Sequence, residues 1–104
     1  MDYRTAIERD TDDGFWFCRE CAANGYSVPA VELHHIVHRS IARPGTEQRQ
    51  REDSASNLIS LCHRCHIEAN ATDKKRLHLE LLQAEGYEYE SEPWAGLLRM
   101  GNAR

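Results

Sequence analysis

Four cysteines in two identical C-x2-C pairs, Cys18/Cys21 and Cys62/Cys65, constrain this chain more than any other feature. Two residues between thiolates let one tight turn aim both sulfurs at a single ion. Two such turns complete the tetrahedral shell that zinc prefers. A four-thiolate shell leaves no open position, so the zinc expected here is a folding device and not a reaction centre. Size explains the need for it: at 104 residues the chain is one domain with a limited core. The competing readings are free core cysteines or a redox dithiol. One C-x2-C pair could be redox, whereas two in a small chain kept reduced read as metal ligands. The opening stretch MDYRTAIERDTDDG lacks the basic-then-apolar order of a signal peptide. No apolar run approaches the roughly 18 residues of a membrane span. The expectation is a cytoplasmic protein with no membrane partner.

Charge narrows the partner. A formal net charge of −4 argues mildly against nucleic acid, because cations must replace phosphate counterions. Its distribution says more. Residues 1–35 hold three basic and seven acidic side chains, residues 36–76 hold eight and five, and residues 77–104 hold two and five. The basic middle holds three of the six histidines and half the cysteines, and it reads either as a solvated face or as the contact for an acidic polymer.

Coarse patterning supplies a scaffold. Residues 3–9 suit a short helix, with Tyr3 and Ile7 one turn apart, and Asp10 to Gly14 is a polar break. Phe15-Trp16-Phe17 reads as a short buried segment, and Asn24-Gly25 as a turn. After Pro29 the chain is strand-like: Val31, Leu33, His35 and Val37 fall on one side, with Glu32, His34, Ile36 and His38 on the other. Residues 39–56 have no periodicity and four arginines, and are expected to form an exposed loop. Asn57 to Leu61 is a second strand, and a helix begins near Arg64. That helix is expected to pause at Asn70–Asp73, where Thr72 or Asp73 could cap a new start. Leu77, Leu81 and Leu82 form the apolar stripe of the next helix, which Gly86 ends. His78 on that helix reads as a surface residue, and His63 as structural or exposed. The tail carries Tyr87, Tyr89, Trp94, Leu97, Leu98 and Met100, expected to pack back on the domain or on a partner.

At the histidines the sequence resembles the HNH nuclease family. The matching residues are Leu33-His34-His35-Ile36, then Asn57-Leu58-Ile59, then Leu61-Cys62-His63-Arg64-Cys65-His66, bracketed by the cysteine pairs as in the zinc-bearing branch of that family. The resemblance covers roughly residues 18–70. It implies an α+β fold: a small ββα-metal domain with a two-stranded antiparallel sheet, flanking helices and a structural zinc site. The chain is read as one domain over 1–104, with a motif core at about 18–70 and a C-terminal helix and tail over 72–104.

The resemblance implies roles for single residues. His34 corresponds to the metal-binding position and His35 to the general base. Adjacent strand residues face opposite ways, which suits two distinct roles, and a neutral imidazole suits proton abstraction near neutral pH. His66 corresponds to the metal ligand from the helix, and Asn57 to the residue that orients His35. Many relatives carry a second helix histidine four residues later, where this chain has Asn70; one helical turn would let its amide face the metal. That harder oxygen donor favours Mg2+ or Mn2+ at the catalytic site. Where a proline is common this chain has His38, read as a phosphate or loop contact. Arg39, Arg43 and Arg64 are the candidate phosphate contacts.

The activity implied is metal-dependent DNA endonuclease chemistry, with a monomer nicking one strand. The partner is DNA, with a homodimer or a phage- or restriction-system protein as further candidates. Two other readings share the cysteines: a noncatalytic zinc module that binds nucleic acid or protein, and an accessory nuclease of a phage packaging complex. The first gives no reason for His34, His35, Asn57 and His66 to coincide.

Overall fold

The cysteine pairs sit at the starts of two helices, and a two-stranded ribbon runs between them. The computed structural model describes residues 2–36 and 53–87. The expected loop up to residue 52, His38, Arg39 and Arg43 with it, and the tail beyond Tyr87 lie outside the described residues.

Helix α1 (Asp2–Arg9) buries Ala6, and its last turn leads directly into Asp10, whose N–H donates to the Ala6 carbonyl at 3.0 Å. The expected polar break at Asp10–Gly14 is instead a hairpin. Strand β1 (Thr11–Asp12) pairs antiparallel with β2 (Phe15–Trp16) across Asp13 and Gly14. Both turn residues have positive φ, 51° and 82°, the geometry that an Asp-Gly pair supplies to a two-residue hairpin. Of the aromatic run, Phe15 is exposed and Trp16 and Phe17 are half-buried, so this segment is not a core element.

Helix α2 (Arg19–Ala23) starts at Cys18 and stops at Asn24, with Gly25 at φ 87° reversing the chain. Phe17 then bridges to Pro29, and Ala30 N donates to the Trp16 carbonyl at 2.9 Å. The chain then enters strand β3 (Glu32–His35), which pairs antiparallel with β4 (Leu58–Leu61), the strand that α2 packs against. The register sets His34 opposite Ile59 and His35 opposite Leu58. A 3-10 turn over Ala55–Asn57 feeds β4. All four β4 residues are buried, because α1 and α2 both pack against this strand. The small α+β architecture with an antiparallel pair at its centre is the one expected; the β1–β2 hairpin is an addition.

Helix α3 (His63–Ile67) begins at Cys62 and is followed by the expected break. Helix α4 (Thr72–Gln83) then starts from Ala71, which makes no side-chain cap, so Thr72 opens the helix without capping it. The buried residues of α4 are His78, Leu79 and Leu82, while Leu77 and Leu81 are only half-buried. The apolar stripe is therefore rotated from the one expected, and His78 is inside, not on the surface. The four cysteines share a core with Ile36, Ile59, Leu61, Ala69, Leu79 and Leu82. Among the described residues no helix is long and apolar enough to cross a membrane.

Candidate functional site

The two cysteine pairs, each member of one 41 to 47 residues from each member of the other, converge. Cys18 and Cys62 hold the N-cap positions of α2 and α3, so each second cysteine follows within the first helical turn. The Cys18 sulfur accepts from the Cys21 amide at 3.5 Å, while Cys21 Sγ lies 3.9 Å from Cys62 Sγ and 3.7 Å from Cys65 Sγ. Tetrahedral zinc with bonds of about 2.3 Å needs sulfurs about 3.8 Å apart, so the spacing suits zinc. All four sulfurs are buried and lie within 4.8 Å of one another. Burial pushes the Cys21 thiol up to about 11, with Cys18 and Cys62 adding to the rise and the Cys65 hydrogen bond opposing it; burial raises the Cys65 thiol too, and its contacts with Cys62, Cys21 and Cys18 raise it further. Cys62 goes the other way: burial raises it, but hydrogen bonds from Cys65, Cys18 and Cys21 hold it below the ordinary 9.0. Four adjacent sulfurs cannot all ionise without a cation among them, and a divalent metal removes that conflict. Among the described residues this quartet is the only group of three or more histidine, cysteine or carboxylate side chains gathered closely enough to share an ion.

Strand alternation separates His34 from His35. His34 is buried at 6% exposure on the side of α3 and α4, where its ring meets His66 at 5.0 Å between centroids and 74° between planes. His66 Nδ1 is bound to the Glu32 carboxylate, two residues before His34 on the same strand face, which leaves its Nε2 available. Such a carboxylate behind an imidazole fixes the tautomer and ring orientation of a metal-binding histidine. Sequence reasoning missed Glu32, although its period-two relation to His34 was legible.

His78 was missed as well. Its ring lies 6.5 Å from that of His34, and its Nε2 is 2.7 Å from Glu20 Oε1, with Lys74 Nζ on the other Glu20 oxygen at 2.8 Å. His78 Nδ1 is buried with no hydrogen bond. Burial lowers the His78 pKa, with Glu20 opposing and Lys74 and Lys75 adding to the drop, so the ring is neutral. Glu20 stays ionised: burial would raise it, but the bonds from Lys74 and His78 bring it below the ordinary value.

On the opposite face of β3, His35 is half-buried and its Nε2 lies 2.8 Å from Asp53 Oδ1. Tyr3 of α1 donates its hydroxyl to the same oxygen at 3.1 Å, and its ring stands edge-on to His35 at 6.0 Å. Asn57 is fully buried. Its carbonyl accepts the Ile36 amide at 2.9 Å, next to His35, and its own amide donates to Ser54 at 2.9 Å. Asn70 does not sit one helical turn beyond His66, because α3 ends at Ile67; it lies exposed in the following turn. Arg64 and His63 are exposed on α3.

The site thus combines a buried imidazole pair, a third imidazole backed by carboxylate, and a separate histidine held by an aspartate. A family model described as HNH endonuclease matches residues 18–72, more than half of the chain. Searches of curated proteins and of solved structures each returned no match.

Proposed function

Because the chain belongs to the HNH endonuclease family, whose domains usually act on nucleic acids, we propose that it is a metal-dependent DNA endonuclease that nicks one strand per active site. The observation that carries this reading is the division of labour across β3: His34 turns inward to His66, and His35 turns outward to Asp53. His34 and His66 would hold one divalent ion, with Glu32 orienting His66. Asn70, in the exposed turn beyond α3, is the candidate for a harder oxygen donor, which would favour Mg2+ or Mn2+. Two imidazoles with a carboxylate behind one of them fit such an ion. The ion, when bound, supplies Lewis-acid stabilisation of the charge that develops on the phosphoryl oxygens.

His35 does the proton chemistry. It removes a proton from water as the water oxygen bonds to phosphorus. The bond from phosphorus to the 3′ oxygen breaks, and that oxygen leaves with the electron pair and takes a proton from solvent. The products carry 5′-phosphate and 3′-hydroxyl ends. Arg64, exposed on α3, and Arg39 and Arg43 would contact phosphates, which positions the strand without specifying sequence. The four cysteines hold structural zinc and fix where α3 begins, and so where His66 stands.

Plasmid nicking tests this. Zinc-loaded wild type should relax supercoiled DNA with Mn2+ or Mg2+ and not with EDTA, and His35→Ala should lose cleavage while keeping its fold and both metals. A His35→Ala protein that nicks like wild type removes His35 as the base. A folded, zinc-loaded wild type that fails to nick with either Mn2+ or Mg2+ supports a nucleic-acid-binding module instead.

A further inference from the structure

The contact between His35 and Asp53 has a chemical direction. A carboxylate only accepts, so at 2.8 Å the Nε2 of His35 must be the donor, and in the neutral ring the lone pair then sits on Nδ1. In serine hydrolases a carboxylate on the other ring nitrogen, Nδ1, holds a histidine in its working tautomer and stabilises the imidazolium formed when Nε2 takes a proton; in this contact the two nitrogens are exchanged. Here the carboxylate is itself held. Tyr3 donates to the oxygen that His35 uses, and its ring edge closes on the imidazole. The three groups come from α1, β3 and the turn before β4, 18 and 50 residues apart in sequence, so only the folded chain assembles them. Arg9 of the same helix donates to the carbonyls of Ala55 and Leu58 at 2.9 and 2.7 Å, which fixes α1 against the turn that follows Asp53.

We propose that Asp53 and Tyr3 are positioning residues for His35: Asp53 keeps the proton on Nε2 so that Nδ1 faces the attacking water, and Tyr3 fixes the Asp53 carboxylate. This rests on His35 being the general base. It extends the functional unit beyond the matched residues 18–72 to α1, since Tyr3 lies outside that span. It also divides the orienting work, with Asn57 holding the backbone beside His35 and Asp53 holding the ring.

The test uses full-length, zinc-loaded protein carrying Asp53→Asn, Asp53→Glu or Tyr3→Phe. Ring 15N spectra of His35 are recorded at one fixed pH without added Mn2+ or Mg2+, and nicking is measured with Mn2+. The expected result is an Nε2-protonated His35 in wild type and a mixed or reversed tautomer in Asp53→Asn. In that variant kcat should fall at least tenfold, up to the roughly 10²- to 10⁴-fold that general-base catalysis supplies, with KM unchanged. Asp53→Glu should restore part of both signals, and Tyr3→Phe should show a smaller loss of kcat. The proposal is overturned if wild-type His35 carries its proton on Nδ1, or if Asp53→Asn keeps kcat within about twofold. His35→Ala separates the two failures. If that variant still cleaves, the base assignment itself is wrong; if it is dead while Asp53→Asn is fully active, only the positioning role is lost.

Discussion

Replacing Asp10 with asparagine tests what holds the frame behind the site. The Asp10 side chain is fully buried and receives bonds from Arg9 at 2.7 and 2.8 Å, from Arg19 at 2.6 Å, and from the Ser60 hydroxyl and amide at 2.7 and 3.2 Å. Both arginines are buried too, at 7% and 8% exposure. Burial alone would raise the Asp10 pKa, but the bonds and charge of Arg9, with Ser60 and Arg19, outweigh it and hold the group below the ordinary 3.8. An asparagine offers one acceptor oxygen and turns an NH2 toward groups that are already donors. Breaking a buried charge set by removing one partner costs about 3–5 kcal/mol, against about 5–15 kcal/mol for the stability of a small domain. At roughly 4–8 °C per kcal/mol, the melting temperature should fall by more than about 10 °C. The assay is urea and thermal unfolding followed by circular dichroism on zinc-loaded protein. The folded pKa is depressed, so this stabilisation is complete above the unfolded value near 3.8 and is lost as pH falls through the lower folded value. Wild type and variant should therefore differ by a constant amount from about pH 5 to 8. A variant within about 1 kcal/mol of wild type at pH 7 would refute the claim that the Asp10 cluster is a buried charge set.

Two further outcomes are expected. Cys62→Ser should lose zinc and cooperative unfolding together, because zinc binding of about 10–16 kcal/mol in zinc-finger peptides exceeds what this small core could replace; a folded, zinc-free protein would remove the structural ion. His78, neutral when folded, binds a proton more readily when unfolded, so its contribution is complete above about pH 6.5 and is lost as pH falls below that toward its depressed folded value. Urea midpoints from pH 8 down to 5 should therefore slope less in His78→Gln than in wild type, and an equal slope would assign the titration to another group.

What the sequence disclosed follows the range over which its signals act. The cysteine pairs were legible because tetrahedral chemistry demands their spacing, and the opposite facing of His34 and His35 because strand periodicity is local. The halt before Thr72 was legible for the same reason. The β1–β2 hairpin was missed although Asp13-Gly14 is a strong turn pair, because its strands are two residues long and show no alternation. His78 was placed outside because a polar residue on a leucine helix reads as surface. Yet it stands one turn before Leu82, on the buried face, and only the Glu20 carboxylate from another helix makes its burial tolerable. Asp53 and Tyr3 carried no local signal: their meaning lies in contacts 18 and 50 residues distant. Asn70 was placed by a helical turn that does not exist, because α3 stops at Ile67.

The ribbon also turns chemistry into a question of odd and even. His34 and His35 are the same amino acid, and nothing in either ring says which should turn in to His66 and which should turn out to Asp53. Only parity along β3 decides, and a slip of one residue against β4 would send every side chain to the other face. The frame is locked by Val31 N on the Leu61 carbonyl, Ile36 N on the Asn57 carbonyl, and Asp10 on Ser60 from behind. A single insertion between Glu32 and His34 would thus exchange the two histidines while leaving the motif intact to any reader of the sequence. Asp10, which lies off the ribbon and touches neither ring, belongs to the machinery that keeps the two interchangeable letters from trading meaning.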